Sequence, residues 1–316
     1  MTDEALPDFD DLPLVEGLGL RHAWNVFGAR DELGTINLLT PNRVQAALAS
    51  VRNGDVINLT KALTAFDPPF YGREPLRHTV YRLDKNYWDD KLDNFLLQSS
   101  THWDGLRHVQ AREFGFWGGI KDESRVVSGG GPIGIERWAE HAIIGRGVLL
   151  DLARFLAGNN AVYDPLESRS ITVEELEAVC AAQRVDLETG DILCVRTGWM
   201  KRYEDLDQAG RLKATNSHAF AGLAADEAMA RWLWNRHVAA VACDNPGVEV
   251  SPGSREVGSL HRRLLPLLGF ALGELFDFEE LAHTSASDGR WNFAFVSVPL
   301  NLPGGVGSPA NAVAIR

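Results

Sequence analysis

Cysteine is scarce in this chain of 316 residues: Cys180, Cys194 and Cys243 are the only three. They are scattered and odd in number, which argues against a disulfide framework. Cys194 and Cys243 sit in apolar, strand-like runs and are expected to be buried thiols. Positive charge is also in deficit. Lys and Arg total 31 against 43 Asp and Glu, for a net charge of -12, so neither a nucleic acid nor an anionic membrane surface is an expected partner. No run approaches 18 apolar residues, so no transmembrane helix is expected. The opening Met1-Thr-Asp-Glu-Ala is acidic and lacks the basic and apolar regions of a signal peptide, and a cytoplasmic location is expected. A G-x-S-x-G nucleophile elbow and a P-loop are missing. Internal repeats and low-complexity tracts are missing too.

What remains is an ordinary globular composition, 45% hydrophobic and 23% charged, which excludes wholesale disorder. Residues 1–20 read as an arm, acidic and interrupted by Pro7 and Pro13. No convincing linker divides residues 21–316, so one domain is expected. Thr40-Pro41 opens a helix, with Thr40 at the cap and Pro41 at its first position. Thr172 with Glu175 forms a capping box ahead of an amphipathic helix. Short apolar strands such as Ile192–Thr197 and Val238–Asp244 alternate with these helices, the pattern of an α/β architecture.

The stretch Gln98-Ser-Ser-Thr-His102-Trp-Asp104-Gly-Leu-Arg-His108 carries the most chemistry. As a strand over 96–104 it would place Gln98, Ser100, His102 and Asp104 on one face and Leu97 and Trp103 on the other. His108 follows Asp104 by four residues, within reach after a turn at Gly105. Such a polar row needs partners if it is buried. Either a metal ion supplies them, His and Asp suiting Zn²⁺ or Mn²⁺, or the row is the wet face of a surface strand.

A second cluster lies between His261, at the start of a helix, and Glu274, in a short apolar strand, Phe270 to Phe276. A carboxylate there is costly unless it is metal-bound or paired with a neighbouring Arg. Aromatic residues at Phe70, Trp103 and Trp117 are candidate walls of an apolar substrate pocket, or else core. Gly129, Gly131 and Gly134 satisfy G-x-G-x-x-G, and Val148-Leu-Leu-Asp151 resembles a strand ending in an acid. This is the outline of a NAD-dependent oxidoreductase. Against it, Lys121-Asp-Glu-Ser-Arg is too polar for the buried first strand. Pro132 also removes a donor where phosphate would be held.

Taken together, the motifs resemble the cyclase family, which includes bacterial kynurenine formamidases and isatin hydrolase. Ser-Thr-His102-Trp-Asp104-Gly-Leu-Arg-His108 is similar to that family's H-x-G-T-H-x-D-x-P-x-H signature. Gly145–Asp151, Gly190–Trp199, His261 through Glu274 and Ser308-Pro-x-Asn311-Ala follow in the family's order. The resemblance implies a single α/β domain around a mixed, barrel-like β-sheet with flanking helices, in homodimers or homotetramers. It implies a metal-dependent hydrolase, acting on an amide, formamide or lactone of a small cyclic or aromatic substrate. His102 and Asp104 would be ligands, His261 and Glu274 would complete the site, and His108 would be the general acid/base. One or two divalent ions, Mn²⁺ or Zn²⁺, are implied. The chain departs from the signature at Gln98, where the family has His, and at Ser100 and Leu106. Gln98 offers a carbonyl oxygen, a weaker donor to Zn²⁺ than imidazole. A catalytically inactive small-molecule binder is therefore a second alternative beside the oxidoreductase.

Overall fold

Runs of apolar residues with no polar alternation build the centre of the molecule, as expected for strands covered on both faces. The structure is a computed structural model that describes residues 6–127 and 129–316. Its strands are β1 (Val56–Asn58), β2 (Arg77–Asp84), β3 (Tyr87–Asp93), β4 (His102–Asp104), β5 (Ile143–Asp151), β6 (Arg169–Ile171), β7 (Ile192–Arg196), β8 (Ala221–Leu223), β9 (Ala240–Cys243), β10 (Ala271–Glu274), β11 (Asn292–Ser297), β12 (Gly307–Pro309) and β13 (Ala312–Ile315). Nine of them form one mixed, curled sheet in the order β1-β13-β11-β5-β7-β9-β10-β4-β12. β5, β7, β9 and β10 run parallel at its middle, and antiparallel strands extend it on both sides. With its flanking helices this is the single α/β domain expected from the sequence.

The sequence signals for helices are met with one change. Thr172 and Glu175 form the capping box of the helix Val173–Gln183. Pro41 does open the helix Pro41–Ala49, but the Thr40 side chain makes no capping hydrogen bond. The first residues described pack onto the domain: Phe9, Leu12 and Val15 are buried. The Phe9 N–H donates to Asn235 Oδ1 at 2.8 Å, and Trp234 Nε1 donates to the Pro7 carbonyl at 2.8 Å. All three cysteines are buried and unbridged. Among the described residues no helix is long and apolar enough to cross a membrane.

Two features position the site. At the carboxyl end of the parallel strands, Asp244 follows β9 and binds the turn after β7. It accepts from the Thr197 N–H at 2.7 Å, the Thr197 hydroxyl at 2.6 Å and the Gly198 N–H at 2.8 Å. Asp244 is fully buried, so Asp244→Ala would leave three buried donors unpaired. We expect a loss of about 3 kcal/mol in unfolding free energy, read from urea denaturation.

The other feature is the β2–β3 hairpin, a separate two-stranded sheet whose residues are almost all exposed. The chain entering it carries Arg73 and the chain leaving it carries Gln98. The hairpin thus ties two walls of the cavity described next.

Candidate metal centre

The short strand β4 lies between β10 and β12, antiparallel to both. Its register sets His102 directly across from Glu274, the last residue of β10, and Asp104 across from Leu272. Cross-strand partners share a face, so a histidine and a carboxylate far apart in the chain meet by strand pairing alone. The helix Leu260–Arg263, which begins just before the turn into β10, brings His261 to the same point.

The resulting cluster is tight. His102 Nε2 lies 3.5 Å from Asp104 Oδ1 and 3.4 Å from Glu274 Oε2. His261 Nε2 lies 3.0 Å from Glu274 Oε1 and 3.7 Å from Asp104 Oδ2. Donor atoms of His102, Asp104 and Glu274 all fall within 4.8 Å of one another, and all three residues are buried. His108 stands at the edge, Nε2 3.5 Å from Asp104 Oδ2, with 31% of its side chain exposed to the cavity.

Both His102 and His261 are oriented from behind. His102 Nδ1 donates to the Ser100 carbonyl at 2.8 Å, which leaves Nε2 facing the carboxylates. His261 Nδ1 donates to Glu249 Oε1 at 2.7 Å. Glu249 also accepts from the His261 N–H at 3.1 Å, from the Leu260 N–H and from the Ser259 hydroxyl at 3.0 Å. A carboxylate or carbonyl behind the far nitrogen is the usual support of a metal-binding imidazole, fixing tautomer and ring orientation.

The electrostatics favour a cation at the centre. Burial opposes charge on His102, but Asp104, Glu274 and the Ser100 carbonyl outweigh it and raise its pKa. Burial is likewise outweighed at His261 by Asp104, Glu249 and Glu274, which push it well above the ordinary imidazole value. Burial would raise Asp104, yet its histidine neighbours hold it well below the usual carboxylate range. Protons on imidazole therefore offset carboxylates that could equally be offset by a metal. One atom is left over. Asp104 Oδ1 is buried and, among the described residues, accepts no hydrogen bond, with His102 Nε2 facing it at 3.5 Å, a cost that burial alone does not repay. The donor set of imidazole and carboxylate fits Zn²⁺ or Mn²⁺.

The cluster opens into a cavity of about 450 Å³, also lined by Gln98 and His108. The polar row expected over 96–104 is only partly realised. The strand is confined to His102–Asp104, and Ser100 turns away to donate to the Ala62 carbonyl at 2.8 Å. Gln98 does reach the cavity wall, and Gly307 makes room for it. A Cβ at Gly307 would come within 3.0 Å of Gln98 Nε2 and 2.7 Å of the Trp103 carbonyl.

The aromatic residues expected to wall the pocket lie elsewhere. Phe70 is buried against Phe66, Trp199 and Tyr203. Trp103 faces the opposite side of β4, packed on Phe276 and Phe295 with Nε1 donating to Ser297 Oγ. Trp117 is core, and its indole ring lies against Gly269. Tyr71 and Phe220 are the aromatics that line the cavity instead. Tyr71 adopts φ 62°, unusual for a bulky residue, and stacks on His218 with ring centroids 5.2 Å apart. Burial, and then the Glu274 carboxylate, push its hydroxyl far above the usual phenol range, so it is neutral.

The glycine-rich stretch does not form a dinucleotide site. The residues just before it form a one-turn helix, Ser124–Val127, rather than a strand. The buried Arg107 guanidinium takes the carbonyls of Val126, Gly130, Pro132 and Gly304 at 2.6–3.0 Å. Asp151, the strand-ending acid of that outline, caps the helix Leu152–Gly158 and pairs with Arg196 at 2.8 Å. Arg107 thus explains the glycines as a fastened loop.

Comparison with known proteins settles the family. The family model for Cyclase matches residues 57–250. The chain belongs to the cyclase family. A crystal structure of a novel cyclase is 32% identical, with a TM-score of 0.82 over 93% of this chain and 99% of that one. Isatin hydrolase A from Labrenzia aggregata, bound to benzyl benzoate, is 18% identical with a TM-score of 0.58, covering 86% of this chain and 97% of that one. Isatin hydrolase A from Ralstonia solanacearum is 16% identical with a TM-score of 0.60, covering 87% and 97%. These two share the fold. No curated protein shows a significant match. Of the centre's residues, Glu249 and Tyr71 carry no spacing signal in the sequence that would mark them.

Proposed function

We propose that this cyclase-family protein is a metal-dependent hydrolase that opens a C–N or C–O bond in an amide, formamide or lactone of a small, cyclic or aromatic substrate. The observation that carries the reading is the buried cluster of His102, Asp104 and Glu274, in which Asp104 Oδ1 accepts no hydrogen bond from any described residue, with His261 alongside and a partly exposed His108 at its edge. The isatin hydrolases that share the fold are, by name, hydrolases.

His102, Asp104 and Glu274 would hold one divalent ion, Zn²⁺ or Mn²⁺, with His261 as a further ligand. Gln98 stands where the family signature has a histidine, and its amide is too weak a donor to build a second strong position. An ion held there supplies Lewis-acid polarisation of a carbonyl and makes water more acidic. The chain does the rest. His108 takes the proton from the attacking water and returns it to the leaving nitrogen or oxygen; histidine is suited to both steps near neutral pH. The Asp104 carboxylate beside Nε2 keeps the His108 ring turned toward the cluster. Tyr71 and Phe220 give the substrate an apolar wall, and the neutral Tyr71 hydroxyl adds a polar group to it. The partner in this reading is a small molecule.

The test is removal of metal by a chelator followed by reconstitution with Zn²⁺ or Mn²⁺, assayed on a panel of cyclic amides, N-formyl anilines and lactones. Hydrolysis lost on removal and restored by one of the two ions supports the reading. Unchanged turnover in metal-free protein, verified by elemental analysis, contradicts it.

A further inference from the structure

Among the described residues the cavity is lined by three carboxylates, Asp104, Glu249 and Glu274, and by a single guanidinium, Arg73, with no lysine and no second arginine. Such a cation would be expected to pair with one of those acids. Among the described residues it pairs with none. Asp104 and Glu274 face the histidines, and Glu249 is taken up by His261 and the backbone of 260–261.

Arg73 is nonetheless held in place. Nη1 donates to the Gln98 carbonyl at 2.7 Å, and the guanidinium carbon sits 5.2 Å from the centroid of the Tyr71 ring. A carbonyl on one nitrogen and an aromatic platform beneath fix the plane of the fork. Nε and Nη2 make no hydrogen bond to any described residue. An arginine oriented in this way presents two parallel N–H donors to a planar oxyanion. The surroundings make the choice of ligand narrow. A protein of net charge -12 repels anions at long range, so a local cation in its cavity is informative about what enters.

We infer that Arg73 is an anion-anchoring residue of the substrate cavity, and that the substrates are carboxylates: amides or lactones that already bear a carboxylate group apart from the bond to be cleaved. The inference rests on reading the cavity as the substrate site and adds to it the charge of the substrate. Tyr71 links the two ends of the cavity. Its ring carries the Arg73 guanidinium, and its hydroxyl, which donates to the Pro246 carbonyl at 3.3 Å, feels Glu274, His261 and Asp104. A substrate with its carboxylate on Arg73 therefore lies along the Tyr71 ring toward the His102–Asp104–Glu274 cluster.

The test is calorimetric titration of the metal-reconstituted protein with 2-carbamoylbenzoate and with benzamide, which share an aromatic amide and differ in the carboxylate. The wild type should bind 2-carbamoylbenzoate more tightly than benzamide. Arg73→Ala and Arg73→Gln should weaken 2-carbamoylbenzoate by about 10- to 100-fold, the usual range for losing a charged hydrogen-bond partner, and leave benzamide unchanged. Arg73→Lys, which keeps the charge without the fork, should recover part of the loss.

Equal binding of the two compounds by the wild type overturns the inference. So does 2-carbamoylbenzoate binding that survives Arg73→Ala but disappears in metal-free protein, since the anion would then sit on the ion. Unfolding temperature, measured on each variant, separates loss of binding from loss of fold. If Arg73-dependent binding is found but no substrate on the panel is hydrolysed, the hydrolase reading fails and the anion subsite stands. Hydrolysis with no dependence on Arg73 is the reverse result.

Discussion

Asp104→Ala is expected to strip the protein of its divalent ion and to lower hydrolysis by about 10⁴-fold, the several kcal/mol that Lewis-acid polarisation supplies. Asp104 faces all three histidines of the cluster: His102 at 3.5 Å through Oδ1, and His108 and His261 at 3.5 and 3.7 Å through Oδ2. Loss of a supporting group behind a ligand already weakens metal binding by about 10- to 100-fold, so loss of the central ligand should exceed that. Elemental analysis after dialysis against metal-free buffer reads the ion directly. Asp104→Asn is the companion variant. It keeps the shape of the side chain, removes its charge, and should also come off the column depleted of metal. Retention of a full equivalent by both variants would remove Asp104 from the centre.

His108→Ala should give the opposite pairing of results: metal retained, turnover lost. Its ring is the one member of the group with substantial exposure, and its Nε2 reaches toward Asp104 Oδ2 without entering the buried set of His102, Asp104 and Glu274. A general acid/base contributes about 10²–10⁴-fold to rate, and that is the expected fall in kcat, with the metal content of the wild type. Loss of the ion together with turnover would make His108 a ligand and leave the proton transfer to another group.

Much of this centre is legible in the amino-acid sequence. His102 and Asp104 are two apart on a strand, so they must share a face. Glu274 in an apolar strand must find compensation, and His261 opens the helix just ahead of that strand. What spacing does not contain is the pairing of β4 with β10, which sets His102 opposite Glu274. That contact depends on the order of strands in the sheet, and in the sequence only the resemblance to the family speaks to it.

The misplacements have local causes. The run Phe66–Gly72 is rich in aromatics, but neighbouring side chains point in different directions. At the turn, φ 62° at Tyr71 swings that ring into the cavity while Phe70 stays in the core. Trp103 alternates away from its neighbours His102 and Asp104, as a strand requires, and so cannot wall their pocket. Ser100 falls on the face of His102 and Asp104 only if the strand extends back to residue 96. The chain before His102 turns instead, and the Ser100 carbonyl rather than its hydroxyl serves the site. Glu249 and Arg73 arrive on irregular segments, where no periodicity announces a side chain. The glycines at 129–134 have the right letters for a phosphate cradle and the wrong surroundings. The loop's carbonyls are bound by Arg107, itself within the motif that carries His102, Asp104 and His108.

Anomalous diffraction from a crystal soaked in Zn²⁺ or Mn²⁺ reads whether His102, Asp104 and Glu274 hold a divalent ion. A peak is expected at the metal's absorption edge, bounded by His102 Nε2, Asp104 Oδ1 and a Glu274 carboxylate oxygen, with His261 Nε2 alongside. A crystal that takes up neither ion at this position, or takes it up only at the surface, would contradict it.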